Sequence, residues 1–150
     1  MVSTNVLFQP YQASDYLDCV ALFDRNCPDY FAPNEREDYI GFLKSDPHGY
    51  QVARLDQRVV AAFGLTVEGA IGRISWIMVC PDAKGQGVGA AMMQRAKESA
   101  QQARVDVVDI AASHLSAPFF AHFGAVEIET FPDGWGKGMH RVDMKLPISQ

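Results

Sequence analysis

The chain has 150 residues, of which 48% are hydrophobic and 21% charged, a composition that suits one folding unit over residues 1–150 and excludes the disordered, collagenous and membrane-spanning classes. Thirteen Lys and Arg against eighteen Asp and Glu leave a formal charge of -5, which argues against nucleic acid as a partner, because binding a phosphate backbone rests on a surplus of basic side chains. The longest apolar run, Val59–Leu65, falls far short of the roughly 20 residues a membrane span needs, and Met1–Pro10 has neither the basic nor the apolar segment of a secretory leader, so no membrane association and a cytoplasmic location are expected.

A short strand is predicted near Val6–Gln9. Ser14 or Asp15 can cap the helix that follows, with Tyr16, Val20, Leu22 and Phe23 on its apolar side. After an aromatic loop, Tyr30-Phe31-Ala32-Pro33, Asn34 is expected to cap a second helix whose Tyr39, Phe42 and Leu43 face one way and which ends before Pro47. β-Branched and aromatic residues then give three strands in an antiparallel meander, Tyr50–Leu55, Val59–Val67 and Ile71–Val79, joined by turns at Asp56-Gln57-Arg58 and Glu68-Gly69-Ala70. Beyond Gly87 the period lengthens. Val88, Met92, Ala96 and Ala100 recur every four residues opposite Gln94, Arg95, Lys97, Glu98 and Gln101, an amphipathic helix running to about Arg104. A strand over Val105–Ile110, a short helix over Ser116–Phe123 closed by Gly124, and strands over Val126–Phe131 and Met139–Leu146 complete the order βααβββαβαββ, an α+β (mixed α/β) fold. Cys19, Cys27 and Cys80 form neither a CxxC pair nor a zinc-ligand spacing and cannot all pair, so reduced thiols, no disulfide and no structural metal are expected.

The most informative stretch runs from Ile77 through Val79-Cys80-Pro81 to Lys84-Gly85-Gln86-Gly87-Val88-Gly89-Ala90. Three glycines at alternate positions between a strand and a helix let backbone N–H groups converge at the positive end of a helix dipole, where phosphate can bind. A glycine-rich turn can equally do no more than reverse the chain. The nucleotide P-loop is excluded, because no Gly-Lys-Ser/Thr occurs in the sequence. A dinucleotide fingerprint is a nearer rival: Gly85, Gly87 and Ala90 satisfy GxGxxA, with Asp106 or Asp109 further on. Against it, four residues separate the strand from the first glycine, and only one βα unit follows.

Val79-Cys80-Pro81 followed by Lys84-x-x-Gly87-x-Gly89 resembles motif A of the GNAT N-acetyltransferase superfamily, with Lys84 where Arg or Gln is usual. Ser113 through Phe119-Phe120 to Gly124-Ala125 resembles motif B, in order and on the right elements. Asp133-Gly134-Trp135-Gly136 with His140-Arg141, and Phe31-Ala32-Pro33 with Glu35-Arg36, resemble a bacterial subgroup of that superfamily. The resemblance implies a splayed, mostly antiparallel sheet of about seven strands flanked by about four helices. It also implies acetyl-CoA as cosubstrate, no metal, and a primary amine acceptor that is a small molecule or a peptide. A homodimer through the terminal strands, Val126–Leu146, is compatible with it.

Acetyl transfer to an amine requires an oxyanion donor, a base for the ammonium and an exit for the thiolate. The resemblance puts the oxyanion donor on the backbone of Ile77, Met78 and Val79, where a bulge lets pantetheine lie as a pseudo-strand. It assigns the pyrophosphate to the main chain of Gly85, Gln86, Gly87, Val88, Gly89 and Ala90, with Lys84 adding charge. Phe120 stands where many members carry a proton-donating tyrosine, and Ser113 where an asparagine often contacts the pantetheine arm; with no hydroxyl at Phe120, Ser113 is also a catalytic candidate for protonating the departing thiolate. Both phenylalanines, Phe119 and Phe120, would also serve simply to pack the helix. His140, beside the Asp133–Gly138 loop, is the favoured base because histidine titrates near neutrality. His114 and His122 suit a surface position, whereas Asp109, Glu127 and Glu129 are other bases near the splay. Asp29, Glu35, Glu37 and Asp38 place negative charge near the acceptor side, suited to a cationic amine. The alternative function is a non-catalytic acyl-CoA binding or sensing module, motivated by Phe120; a nicotinamide-binding module ranks third.

Overall fold

The computed structural model describes residues 6–83 and 85–149. Its sheet has seven strands in the order β1-β2-β3-β4-β5-β7-β6. They are β1 (Leu7–Pro10), β2 (Tyr50–Leu55), β3 (Arg58–Glu68), β4 (Ile71–Val79), β5 (Val107–Ser113), β6 (Val126–Gly136) and β7 (Met139–Pro147). Every neighbouring pair is antiparallel except β4 and β5. Parallel neighbours need a crossover, and α3 (Val88–Gln102) provides it. The other helices are α1 (Tyr16–Arg25), α2 (Glu35–Lys44) and α4 (Ala117–His122). None is long and apolar enough to cross a membrane, and Cys19, Cys27 and Cys80 are free thiols.

Consecutive strand residues point to opposite faces, and two of them assign the helices. Tyr50 reaches the Tyr39 hydroxyl of α2 at 2.8 Å, whereas Gln51 accepts from Arg95 of α3. Thus α1 and α2 cover one face, and α3 covers the other. Phe23, Tyr39, Phe42 and Trp76 form an aromatic cluster on the first face. The Tyr50 hydroxyl donates to the Trp76 carbonyl at 2.7 Å, so its remaining capacity accepts the Tyr39 hydroxyl. Tyr50→Phe leaves two buried polar groups short of a partner and is expected to cost about 1–3 kcal/mol. Urea unfolding checks this; an unchanged midpoint and slope would contradict it.

Several details differ from the sequence reading, and three of them have a local reason. Val105 belongs to the end of α3, not to β5: its N–H returns to Ala100 O while Arg104, at φ 59°, bonds Gln101 O. That is the double closure of a left-handed helix end, and it consumes the apolar residue that looked like strand. Strand β6 runs on to Gly136, with an irregularity between Phe131 and Gly136. Asn34 stands at the N-cap position of α2 but makes no side-chain cap bond; its amide donates to Trp135 O at 2.8 Å. Glu35 instead accepts the Ala32 N–H, also at 2.8 Å.

Candidate active site

The site begins with an extra residue in β4. Ala62 pairs with Met78 and Gly64 with Ser75, so Trp76 and Ile77 together face Phe63. Trp76 takes φ 47° at this bulge, and the Tyr50 hydroxyl holds its carbonyl. Downstream, β4 stays with β3, through Met78 and Val79, whereas β5 stays with β7 as far as Ser113. The β4–β5 ladder accordingly ends at Ile74 and Ile110, although both strands continue. A slot opens through the sheet.

A cleft of about 730 Å³ passes through that slot. On the α3 side it is lined by Gly85, Gly87, Val88, Gly89, Ala90, Phe119 and Phe120. Along the slot it is lined by Ile74 to Val79 and by Ile110 to Ser113. On the α1–α2 side it meets Asn26, Tyr30, Phe31, Glu35 and Trp135. The sequence-chosen Ile77, Met78 and Val79 thus share one cleft with most of the glycine loop.

Gly85 and Gly87 have φ 83° and 79°, which L side chains rarely adopt. Val88, Gly89 and Ala90 open α3, so helix geometry gives their N–H groups no intrahelical acceptor; Ala91 is the first to bond back, to Gly87 O. The Gln86 N–H is spent on Ala83 O. Gly89 has a packing reason of its own, since a Cβ there would lie 2.9 Å from the Phe119 ring. Lys84 lies outside the described residues.

Ser113 and Phe120 line the cleft. Ser113 is interlocked with Ser116: each backbone N–H donates to the other's hydroxyl at 3.0 Å, and the two hydroxyls are 3.0 Å apart. Its hydrogen-bonding capacity therefore goes largely into the β5–α4 turn. Phe120 is 3% exposed and packs edge-on to Phe119, so it is both core and cleft wall.

His140 does not line the cleft. Its Nδ1 accepts the Asp133 N–H at 3.0 Å, and its ring packs at a tilt against His114, 4.6 Å between centroids. An imidazole accepting at Nδ1 carries its proton on Nε2, so the lone pair a base would use is already engaged. The hairpin explains the position, because Asp133 also accepts the Gly138 N–H at 2.7 Å. Of the other candidates, Asp109 is paired with Lys145, and Glu127, Glu129 and His122 are exposed.

Glu35 differs from all of these. Asp29, Glu37 and Asp38 are exposed, whereas Glu35 is 4% exposed and faces the cleft. Burial raises its pKa from 4.5 to about 7; the Ala32 N–H opposes the rise and the nearby charge of Asp38 adds to it. The signal that could have singled it out is helical spacing, since Glu35 precedes the core residue Tyr39 by one turn and shares its face.

The Acetyltransferase (GNAT) family model matches residues 18–125. No curated protein matches the sequence significantly. Among solved structures, Ard1 from Thermoplasma volcanium superposes with a TM-score of 0.81 at 13% identity, covering 97% of this chain and 99% of that one. The ribosomal-protein-S18-alanine N-acetyltransferase from Escherichia coli gives 0.74 at 18% identity, with 97% and 95% covered. The Salmonella typhimurium protein yncA, solved with its cofactor acetyl-CoA, gives 0.72 at 12%, with 98% and 96% covered. These structures share the fold, and the family model, which spans the bulge, the glycine loop and the slot, shows that the chain belongs to the GNAT family of acetyltransferases.

Proposed function

We propose that the protein transfers an acetyl group from acetyl-CoA to a primary amine by direct attack. One observation carries the reading: a single cleft passes through the splayed sheet with open helix amides at one mouth and a buried carboxyl at the other. The residues fit acetyl-CoA. Gly85 has open space where a Cβ would stand, Val88 to Ala90 present N–H groups to an anion, and β4 has no β5 partner beyond Ile74.

Acetyl-CoA, when bound, supplies a thioester whose carbonyl carbon accepts a nucleophile. The main chain of Gly85, Gly87 and Val88 to Ala90 holds pyrophosphate, with Lys84 adding charge. Backbone N–H groups between Ile77 and Val79 orient the pantetheine arm and steady the charge that develops on the carbonyl oxygen. Ionised Glu35 takes the proton from the substrate ammonium, freeing the nitrogen lone pair to form the C–N bond as the C–S bond breaks. The departing thiolate takes up the second proton that the nitrogen loses on becoming an amide, so the products are an amide and a thiol, and the proton held by Glu35 is released to solvent. Apolar walls at Val88, Met92, Phe119 and Phe120 keep water from the slot.

Calorimetry with acetyl-CoA, followed by thiol release over a panel of amines, tests the reading. Binding with amine-dependent thiol release is expected; binding without it would overturn transfer in favour of a sensing module, which the missing hydroxyl at Phe120 favours. Phe120→Tyr is expected to give a stable protein with equal or higher turnover and a new basic limb in the pH–rate profile, because the added acid is lost as it ionises. A lowered Tm with an unchanged profile would instead assign position 120 to packing alone.

A further inference from the structure

The acceptor mouth of the cleft is an aromatic box with one acid. Tyr30, Phe31, Trp76 and Trp135 line it together with Glu35 and Asn26, and Phe31 stacks on Trp76 at 6.1 Å. No Lys, Arg or His lines the cleft among the described residues. Arg141 lies over the Trp135 ring at 5.6 Å, but Asp143 holds its guanidinium through two bonds of 2.7 and 3.2 Å.

Two segments that border the box are also joined to each other. The loop before α2 and the end of β6 are clasped together by the bond from the Asn34 amide to Trp135 O, 2.8 Å long. Gly136 makes the approach possible: a Cβ there would collide with Asn34 Oδ1 and sit 3.0 Å from Ala32 Cβ. An extended chain passing between these two segments would have to part the clasp.

From this geometry we infer that the acceptor is a small primary amine with an aromatic or alkyl body and no carboxylate, not an amino acid or a protein N-terminus. Aromatic faces attract an ammonium and an apolar body together. Glu35 supplies the one charge complementary to the ammonium. A carboxylate on the acceptor would be buried without a cation and would face Glu35, and a peptide would have to break the clasp. The inference rests on the acetyl-transfer reading for its chemistry but has a binding test of its own.

Both tryptophans of the chain, Trp76 and Trp135, line this cleft, so fluorescence excited selectively at tryptophan reports on it. Protein saturated with coenzyme A is titrated with 2-phenylethylamine, with phenylalanine and with an alanine-initiated hexapeptide. Saturable quenching by 2-phenylethylamine at a Kd at least 100-fold below those of the other two is expected. The same order should hold for kcat/KM in acetyl-CoA-dependent thiol release. Asn34→Ala, which opens the clasp, should narrow the discrimination against the hexapeptide without improving phenylalanine. Equal or tighter binding of phenylalanine or the hexapeptide, or no saturable quenching by 2-phenylethylamine, would overturn the inference. Thiol release with one of the other acceptors would then leave acetyl transfer standing, whereas amine binding with no thiol release from any acceptor would overturn transfer alone.

Discussion

Glu35→Gln is expected to lower kcat/KM at pH 8 by roughly 10²–10⁴-fold, the range typical of a lost general base, and to make the folded protein more stable at that pH. Both effects follow from one carboxyl. In the wild type, burial lifts its pKa to about 7, so activity should rise with pH through an acid limb near neutrality as the base ionises. The variant should lack that limb. The stability effect has a definite sign: the folded carboxyl binds its proton more tightly than the unfolded one, whose pKa is near 4.5. Folding therefore takes up a proton between those values, and wild-type stability declines as pH rises through that window and stays lower above it. A neutral amide removes the penalty, on the order of 1–3 kcal/mol at pH 8, and can still accept the Ala32 N–H. Below pH 4.5 the two proteins should unfold alike. Rate profiles and denaturant melts at pH 4, 6 and 8 check both effects. A variant that keeps the acid limb would show that Glu35 is not the base, and one less stable than the wild type at pH 8 would show that burial does not raise its pKa.

The second large effect is expected at the other mouth. Gly87→Glu puts a side chain and a negative charge at the start of α3, where Val88 to Ala90 point their N–H groups outward, and should weaken acetyl-CoA binding by at least 100-fold. Position 87 has φ 79°, so any L residue there carries backbone strain of about 1–2 kcal/mol. Gly87→Ala carries the same strain without the charge and serves as the control. Calorimetry should rank wild type above alanine and alanine well above glutamate, with the two variants equal in Tm. Equal affinity for the two variants would show that strain, not the anion site, governs binding.

The glycine loop was legible in the sequence because its signals are local: a strand ending in Val79-Cys80-Pro81, glycines at set offsets, and a helical period beginning at Val88. The same holds for the Asp56-Gln57 turn, whose two residues take φ 53° and 67° as a tight hairpin demands. What was not legible depends on partners far along the chain. Asn34 has the chemistry of a helix cap, yet its amide goes to a carbonyl 101 residues away. A bulge in this strand was implied by the resemblance alone, and its place at Trp76 is held by a hydroxyl 26 residues earlier. His140 reads as a base until the Asp133 N–H is seen on its Nδ1, a bond that exists only because β6 and β7 fold onto each other. Glu35 was visible as one acid among four, and only packing against the sheet separates it from Asp29, Glu37 and Asp38.

The short β4–β5 ladder has a mechanical meaning. Strands β1 to β4 form one half of the sheet and β5 to β7 the other, and the pairing between the halves is confined to Ile71–Ile74 against Val107–Ile110. Four residue pairs make a narrow seam between two stiff plates, so bending should concentrate there while each plate moves as a body. A molecule lying in the slot as an added strand would extend that seam and lock the plates, and its occupancy would register as stiffness across the whole sheet.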